Sequence, residues 1–307
     1  MKLRAGHLST LYHTSMLLMA RNWMVRDFFP CEIEWRLFGT GPAIVNAFRS
    51  GELDLAYIGL PPAIIGISQG VPIKCVAGGH VEGTVIASKN EAPGFPQTAD
   101  LKEILSYPKA IGVPGKGSIH DLILVDAIRS YGVHAEVRNY SWADQVLEAF
   151  MHGEVEMAVG TPALAQAIRH YAGGKVVYPP HLLWPDNPSY GILVSKGLLD
   201  NSAEIVKKFL VLHEKAESAL RNGPDSAATD IADLMAVVDS GFVRDTLRIS
   251  PRYCAALTRG YIDCTMRLAE RLLALGYVSK PVIMEDIFET ALIGEIHPEP
   301  AHYHGNY

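Results

Sequence analysis

Little in this sequence points to metal, nucleic-acid or membrane chemistry. Cysteine is scarce: Cys31, Cys75, Cys254 and Cys264 are scattered, with no CxxC pair and no Cys/His spacing that would fold a zinc site. They read as buried thiols acting as small hydrophobes, while a Cys254–Cys264 disulfide in an oxidising compartment stays open. Basic charge is in deficit, with 27 Lys and Arg against 33 Asp and Glu and a formal net charge of −6. No stretch gathers Lys and Arg with aromatics in the manner of a nucleic-acid groove, so no nucleic-acid partner is expected. Long apolar runs are missing too. The stretch Met16 to Ala20 is far too short to span a bilayer, and Arg21 ends it, so no transmembrane segment is expected. No apolar segment with a small-residue cleavage site follows the charged start Met1-Lys2-Leu3-Arg4, and the chain reads either as cytosolic or as an exported protein whose signal was removed. Neither a metal nor a cofactor is expected. The tail from Glu295 to Tyr307, with His297, His302 and His304, reads as a mobile end beside Pro and Gly.

What is present is an ordinary globular composition, 49% hydrophobic and 20% charged over 307 residues, enough for two lobes or one large α/β domain. Lys2 to Gly6 reads as an opening strand and Thr14 to Arg26 carries apolar residues at helical spacing, leaving Gly6 to His13 as a loop between them. Glu32 to Phe38 alternates with period two, and Gly39-Thr40-Gly41-Pro42 then opens a helix to about Ser50, which makes a βα unit.

The most informative feature is an internal echo. Ala47-Phe48-Arg49-Ser50-Gly51-Glu52-Leu53-Asp54-Leu55-Ala56 is matched by Ala149-Phe150-Met151-His152-Gly153-Glu154-Val155-Glu156-Met157-Ala158. In each copy a helix ends at a Gly suited to the left-handed position, and acidic residues precede a short apolar strand. Each strand then reaches a turn, Ile58-Gly59-Leu60-Pro61 or Val159-Gly160-Thr161-Pro162, where Pro starts the next helix. The pattern predicts two similar lobes whose turns face a shared cleft, since ligands of open α/β sheets sit beyond the carboxyl ends of the strands. Gly83 to Lys89 and Ser189 to Lys196 read as strands crossing between them. Lobe I is then residues 1–88 and 190–307, and lobe II residues 89–189.

At this point the chain resembles a known family. Gly39-Thr40-Gly41-Pro42, Ser50 to Ala56, Val85-Ile86-Ala87-Ser88-Lys89, Thr98-Ala99-Asp100-Leu101-Lys102, Ile111-Gly112-Val113-Pro114-Gly115-Lys116-Gly117-Ser118 and Gly191-Ile192-Leu193-Val194-Ser195 follow the order seen in the NMT1/THI5-like group, the nitrate/sulfonate/taurine class of type II periplasmic binding proteins. The resemblance runs from about Leu3 to Leu220. It implies an α/β, two-lobed type II fold with two crossover hinge strands. It also implies export to the periplasm or cell exterior, a small-molecule ligand and an ABC permease as partner. The cysteine-rich, iron-associated motif of the group's pyrimidine-synthase branch is missing, which argues against that chemistry.

The candidate ligand contacts lie on the turns. Ser118 reads as a helix N-cap after Gly115-Lys116-Gly117, where free N–H groups would also receive an anionic ligand group; Lys116 between glycines does not make a Walker loop. Thr40 and Gly41, Gly59 and Leu60, and Gly160 and Thr161 occupy equivalent turns. His7, Tyr12 and His13 lie on the first loop, His80 and Glu82 precede the first crossing, and Tyr140, Ser141 and Trp142 follow a strand of lobe II, where rings could cover a planar or apolar ligand body. The leading function is a solute-binding protein for an ABC importer, closing on a small anionic or heteroaromatic metabolite. The alternatives are a cytosolic enzyme using His7, His13 or His120 as general acid or base, or a cytosolic ligand sensor. No Ser/His/Asp, paired-carboxylate or Cys/His constellation stands out.

Overall fold

The computed structural model describes residues 2–303, which build two five-stranded sheets. The chain begins with β1 (Lys2–Leu8), α1 (Thr14–Ala20), α2 (Asn22–Phe28), β2 (Glu32–Phe38), α3 (Gly41–Arg49), β3 (Leu55–Ile58), α4 (Leu60–Ser68) and β4 (Ile73–Val81). A second run follows: β5 (Val85–Ser88), α5 (Leu101–Ser106), β6 (Ala110–Pro114), α6 (Ile119–Tyr131), β7 (Glu136–Tyr140), α7 (Ala143–Met151), β8 (Met157–Gly160), α8 (Pro162–Ala172) and β9 (Lys175–Tyr178). After α9 (Pro180–Leu183), β10 (Pro188–Ser195) rejoins the first sheet. The chain ends in α10 (Lys196–Asn222), α11 (Pro224–Met235), α12 (Ser240–Ile249), α13 (Arg259–Ala274), α14 (Met284–Ile287) and α15 (Ala291–Ile296).

The two sheets, ordered β2-β1-β3-β10-β4 and β7-β6-β8-β5-β9, are one arrangement built twice. In each, a central strand pairs in parallel with two others, β1 with β2 and β3, or β6 with β7 and β8. An antiparallel strand follows, β10 or β5, and in both cases it enters directly from the other lobe. Val85–Ser88, expected to close lobe I, therefore pairs inside the second sheet, and the chain crosses at residues 82–84 and again at 179–187. The four residues of β5 are all buried, so their composition suits either sheet and only the pairing decides.

The echo is structural and longer than the sequence match. Gly51 and Gly153 have φ of 73° and 75°, and behind them Glu52 N donates to Ala47 O and Glu154 N to Ala149 O, both at 2.9 Å. Upstream, Arg36 pairs with Glu34 and Arg138 with Glu136, each at 2.7 Å. The same arginines reach the turns, Arg36 Nη1 donating to Glu52 O at 3.0 Å and Arg138 Nη1 to Glu154 O at 2.8 Å.

Each sheet is covered on both faces. Phe209, Leu212, Ile231 and Val243 of the C-terminal helices pack on one side of the first sheet, and Ile44, Phe48, Ile64, Leu268 and Leu272 on the other. The second sheet is sandwiched between Ile104, Leu124 and their neighbours and Val146, Phe150, Leu164 and Ile168. Ile119, Leu122 and Ile123 of α6 pack into the first lobe's core, so the lobes are in contact as well as joined. The crossings are tied to each other at Glu82, which adopts φ 62°. Its N–H donates to Asn187 O at 2.7 Å and its carboxylate accepts from Asp186 N at 3.1 Å. Among the described residues, no helix is long and apolar enough to cross a membrane.

Candidate functional site

A cleft of about 420 Å³ opens where the strand ends of both sheets meet. Leu8 to His13, Gly39 to Pro42 and Gly59 line it from the first lobe; Pro114, Gly115, Ser118 to His120, Ser141 to Asp144 and Thr161 come from the second. Ser189 lies on the β10 side of the return crossing. Every one of these turns follows a parallel or crossing strand, which is where an open α/β sheet leaves space for a ligand.

Three helices start at this cleft with side-chain caps. Ala43 N donates to Thr40 Oγ1 at 3.4 Å, Asp121 N to Ser118 Oγ at 3.2 Å, and Leu164 N to Thr161 Oγ1 at 3.2 Å. First-turn amides have no acceptor within their own helix, so Gly41, Ile119, His120 and Ala163, all lining residues, present N–H groups to the cleft from both lobes. Among the described lining residues the only carboxylate is the exposed Asp144, and no Lys or Arg lines the cleft. A ligand's negative or hydrogen-bond-accepting group would therefore be received by backbone dipoles rather than by a salt bridge.

Tyr12, His13 and His120 of the lining belong to a set of buried histidines and tyrosines that extends behind the cleft. Tyr12 packs against His13 and His80 with ring centroids 5.0 and 4.7 Å apart, and His13 lies 4.1 Å from the ring of Tyr190. Burial, reinforced by the neighbouring histidines, lowers the His13 pKa well below the usual imidazole range. Burial brings His80 and His120 down to about 4. All three are neutral at physiological pH and act as hydrogen-bonding groups rather than cations. His120 Nδ1 lies 3.0 Å from Thr84 Oγ1, in the first crossing. His13 is 2% exposed and its Nδ1 has no hydrogen-bond partner among the described residues. Such an orphaned group costs on the order of 1–3 kcal/mol until something pairs with it.

Of the residues chosen from sequence, Tyr12, His13, Thr40, Gly41, Gly59, Ser118, Trp142 and Thr161 line the cleft, as does Ser141. The others do not. His7 sits at the end of β1, its Nδ1 3.1 Å from Leu8 O and its ring against Trp35. Leu60 is a fully buried core residue, and a β-carbon on Gly160 would meet Leu164 Cδ2 at 2.6 Å, so both serve packing. His80 bridges the crossings, with Nδ1 2.9 Å from Ser189 Oγ and Nε2 2.5 Å from Ser250 O. Glu82 is paired with Arg252 at 2.6 Å. Lys116 points to solvent, and Gly117 N donates to Asp121 Oδ2 at 2.8 Å. Tyr140 packs in the second lobe, and its carbonyl accepts from Gly115 N at 2.7 Å.

Ser118 itself is a cap whose hydroxyl donates to Pro114 O at 2.8 Å while accepting from Asp121 N, so it has no proton left for a ligand. Trp142 reaches across the cleft: a β-carbon on Gly39 would lie 2.6 Å from its Cζ2. One wall was not foreseen. Met235, Val237, Val238 and Phe242, at the junction of α11 and α12, face Ala163, Leu164, Ala167 and Tyr171 of α8. The sequence offers one trace of this, an apolar Val237-Val238 pair in a turn, with Val237 left 75% exposed.

Two α/β lobes of matching topology, joined by two crossings and open to each other at their strand ends, define a type II periplasmic-binding-protein fold. The alkanesulfonate-binding protein of Xanthomonas axonopodis pv. citri, solved bound to MOPS, superposes with a TM-score of 0.80 at 17% identity, over 94% of this chain and 98% of that one. Residues 2–236 match the model of the NMT1-like family, and the chain belongs to that family. Its relatives include a Brucella abortus protein, 25% identical over 240 residues, covering 76% of this chain and 72% of that protein. The taurine-binding periplasmic protein of Escherichia coli is 26% identical over 205 residues, covering 63% of this chain and 59% of its own.

Proposed function

We propose that this chain is a solute-binding protein that closes two lobes on one small ligand and delivers it to an ABC importer. The observation that carries this reading is the convergence of capped helix starts at Thr40, Ser118 and Thr161, from both lobes, on a single cleft. A ligand seated there bridges the lobes, which is how hinge closure makes affinity depend on both. The lining favours a metabolite with a small anionic or hydrogen-bond-accepting head at the first-turn amides and an apolar or heteroaromatic body. Trp142 and the Val238–Phe242 wall suit such a body. Taurine and alkanesulfonates, named for the relatives, have such a head.

Among the described residues, the one serine–histidine pair beside the cleft supports binding over catalysis. Ser189 and His80 stand at a nucleophile–base separation of 2.9 Å. The Ser250 carbonyl only accepts, so His80 Nε2 carries the proton and Nδ1 accepts from Ser189; the latter also accepts from Gly83 N at 2.7 Å. With a pKa near 4, His80 is a poor general base at neutral pH, and the pair serves to tie the crossings. The test is mass spectrometry of small molecules released when the purified chain is denatured. One species in stoichiometric amount, lost from Trp142→Ala, supports the reading; a species retained in full by Trp142→Ala opposes it.

A further inference from the structure

Outside the cleft, three residues far apart in sequence meet. Cys254, His297 and His302 place their ligating atoms within 4.8 Å of one another. Cys254 Sγ is 3.3 Å from His297 Nε2 and 3.7 Å from His302 Nδ1, and the two ring nitrogens are 3.0 Å apart. A zinc ion with Zn–N of about 2.0–2.1 Å and Zn–S of about 2.3 Å sets tetrahedral ligands about 3.3 Å apart for N–N and about 3.6 Å for N–S. The observed triangle is close to one face of that tetrahedron.

The fold holds each corner. The Cys254 amide donates to Gly79 O of β4 at 2.9 Å, which fixes the thiol against the sheet. His297 follows α15, and its Nδ1 lies 3.1 Å from Glu299 O, the outer contact that settles a ligand histidine's tautomer and turns Nε2 inward. His302 is positioned by the buried Tyr303, whose hydroxyl donates to Cys254 O at 2.8 Å and whose carbonyl accepts from Arg252 Nε and Nη2 at 2.9 and 2.6 Å. Cys254 and His297 are buried while His302 is exposed, which leaves an entry path from solvent. No spacing signal marks the site in the sequence, because the ligands come from a loop and a tail more than forty residues apart.

We infer that Cys254, His297 and His302 form a binding site for a borderline-soft divalent cation of the zinc class. The thiol releases its proton to solvent as the sulfur coordinates, the two neutral imidazoles donate their lone pairs, and water takes the fourth position. The ion fastens the C-terminal tail to the segment that runs beside β4, away from the ligand cleft.

The experiment is titration of the full chain with Zn(II) alone, and with Co(II) as the spectroscopic probe. One ion per chain is expected, with Co(II) giving a near-ultraviolet thiolate charge-transfer band and the visible spectrum of tetrahedral coordination. Cys254→Ser should remove the charge-transfer band. His302→Ala should weaken Zn(II) binding at least about tenfold, since outer-contact changes alone cost roughly 10–100-fold. Cys264→Ser should change neither, and far-ultraviolet circular dichroism checks that each variant folds. If Cys254→Ser does not fold, the band in the wild type and the weakened Zn(II) binding of His302→Ala decide. The inference is overturned if the chain binds no stoichiometric ion, or if Cys254→Ser folds and binds Zn(II) as tightly as wild type, which would assign the metal to ligands other than Cys254.

Discussion

Ser118 shows how a residue at a cleft can matter to the fold without touching a ligand through its side chain. Its hydroxyl joins the end of β6 to the start of α6, donating to Pro114 O and accepting from Asp121 N. Ser118→Ala should therefore lower stability by about 1 kcal/mol, the usual cost of a lost cap. Ligand affinity should stay within about twofold, because the proposed binding rests on the neighbouring amides, which the substitution keeps. Chemical denaturation and calorimetry on the same variant separate the two; a large loss of affinity with unchanged stability would contradict this assignment. The cap was legible in Gly-Lys-Gly-Ser before an apolar run. The direction of its proton was not, because the acceptor is a carbonyl that only the folded turn brings near. His80 and Glu82 lie outside the cleft lining for a related reason. A polar residue beside a crossing looks the same in sequence whether it meets a ligand or, as here, Ser250 and Arg252.

At the scale of elements, the repeated helix–Gly–Glu–strand unit was the part of the fold written most plainly in the sequence. A glycine at φ above zero and a backbone closure onto the helix are local requirements, so they leave a local trace. Nothing lies within 4 Å of a β-carbon built on Gly51 or Gly153. Gly51→Ala and Gly153→Ala should then each cost roughly 1 kcal/mol, the left-handed backbone penalty without a clash. Equal shifts in denaturation midpoint would show that the two copies are energetically as well as geometrically alike, and a loss of several kcal/mol in one would contradict this. Long-range pairings left no such trace. The all-buried β5 could have joined either sheet, and the α11–α12 wall reaches the cleft only through tertiary packing against α8.

For the molecule as a whole, buried neutral histidines give stability a definite pH dependence. His80, His120 and His213 have folded pKa values near 4 because burial disfavours their charge, below an unfolded value of 6.5. A depressed histidine stabilises the fold above the unfolded pKa, and that stability is lost as pH falls from about 6.5 toward 4. Each contributes on the order of 3 kcal/mol across that window. Glu217 opposes this. Burial raises its pKa well above the carboxylate range, so its contribution is lost as pH rises above the unfolded value. Several histidines outweigh one glutamate, and the melting temperature should fall steadily on acidification from pH 6.5 to 4. A flat profile there would contradict the neutral, dry interior described for these groups.

Hinge closure on a small ligand is the central claim, and its most direct test is calorimetric titration of the full chain with a panel of small sulfonates, carboxylates and heteroaromatic acids. Any ligand so found should be titrated against Trp142→Ala in one lobe and His13→Phe in the other. The account predicts one-to-one binding that weakens by about tenfold or more in each variant, roughly 1.4 kcal/mol for each lost contact, with folding intact. Saturable binding that neither substitution changes would place the ligand elsewhere and contradict the account.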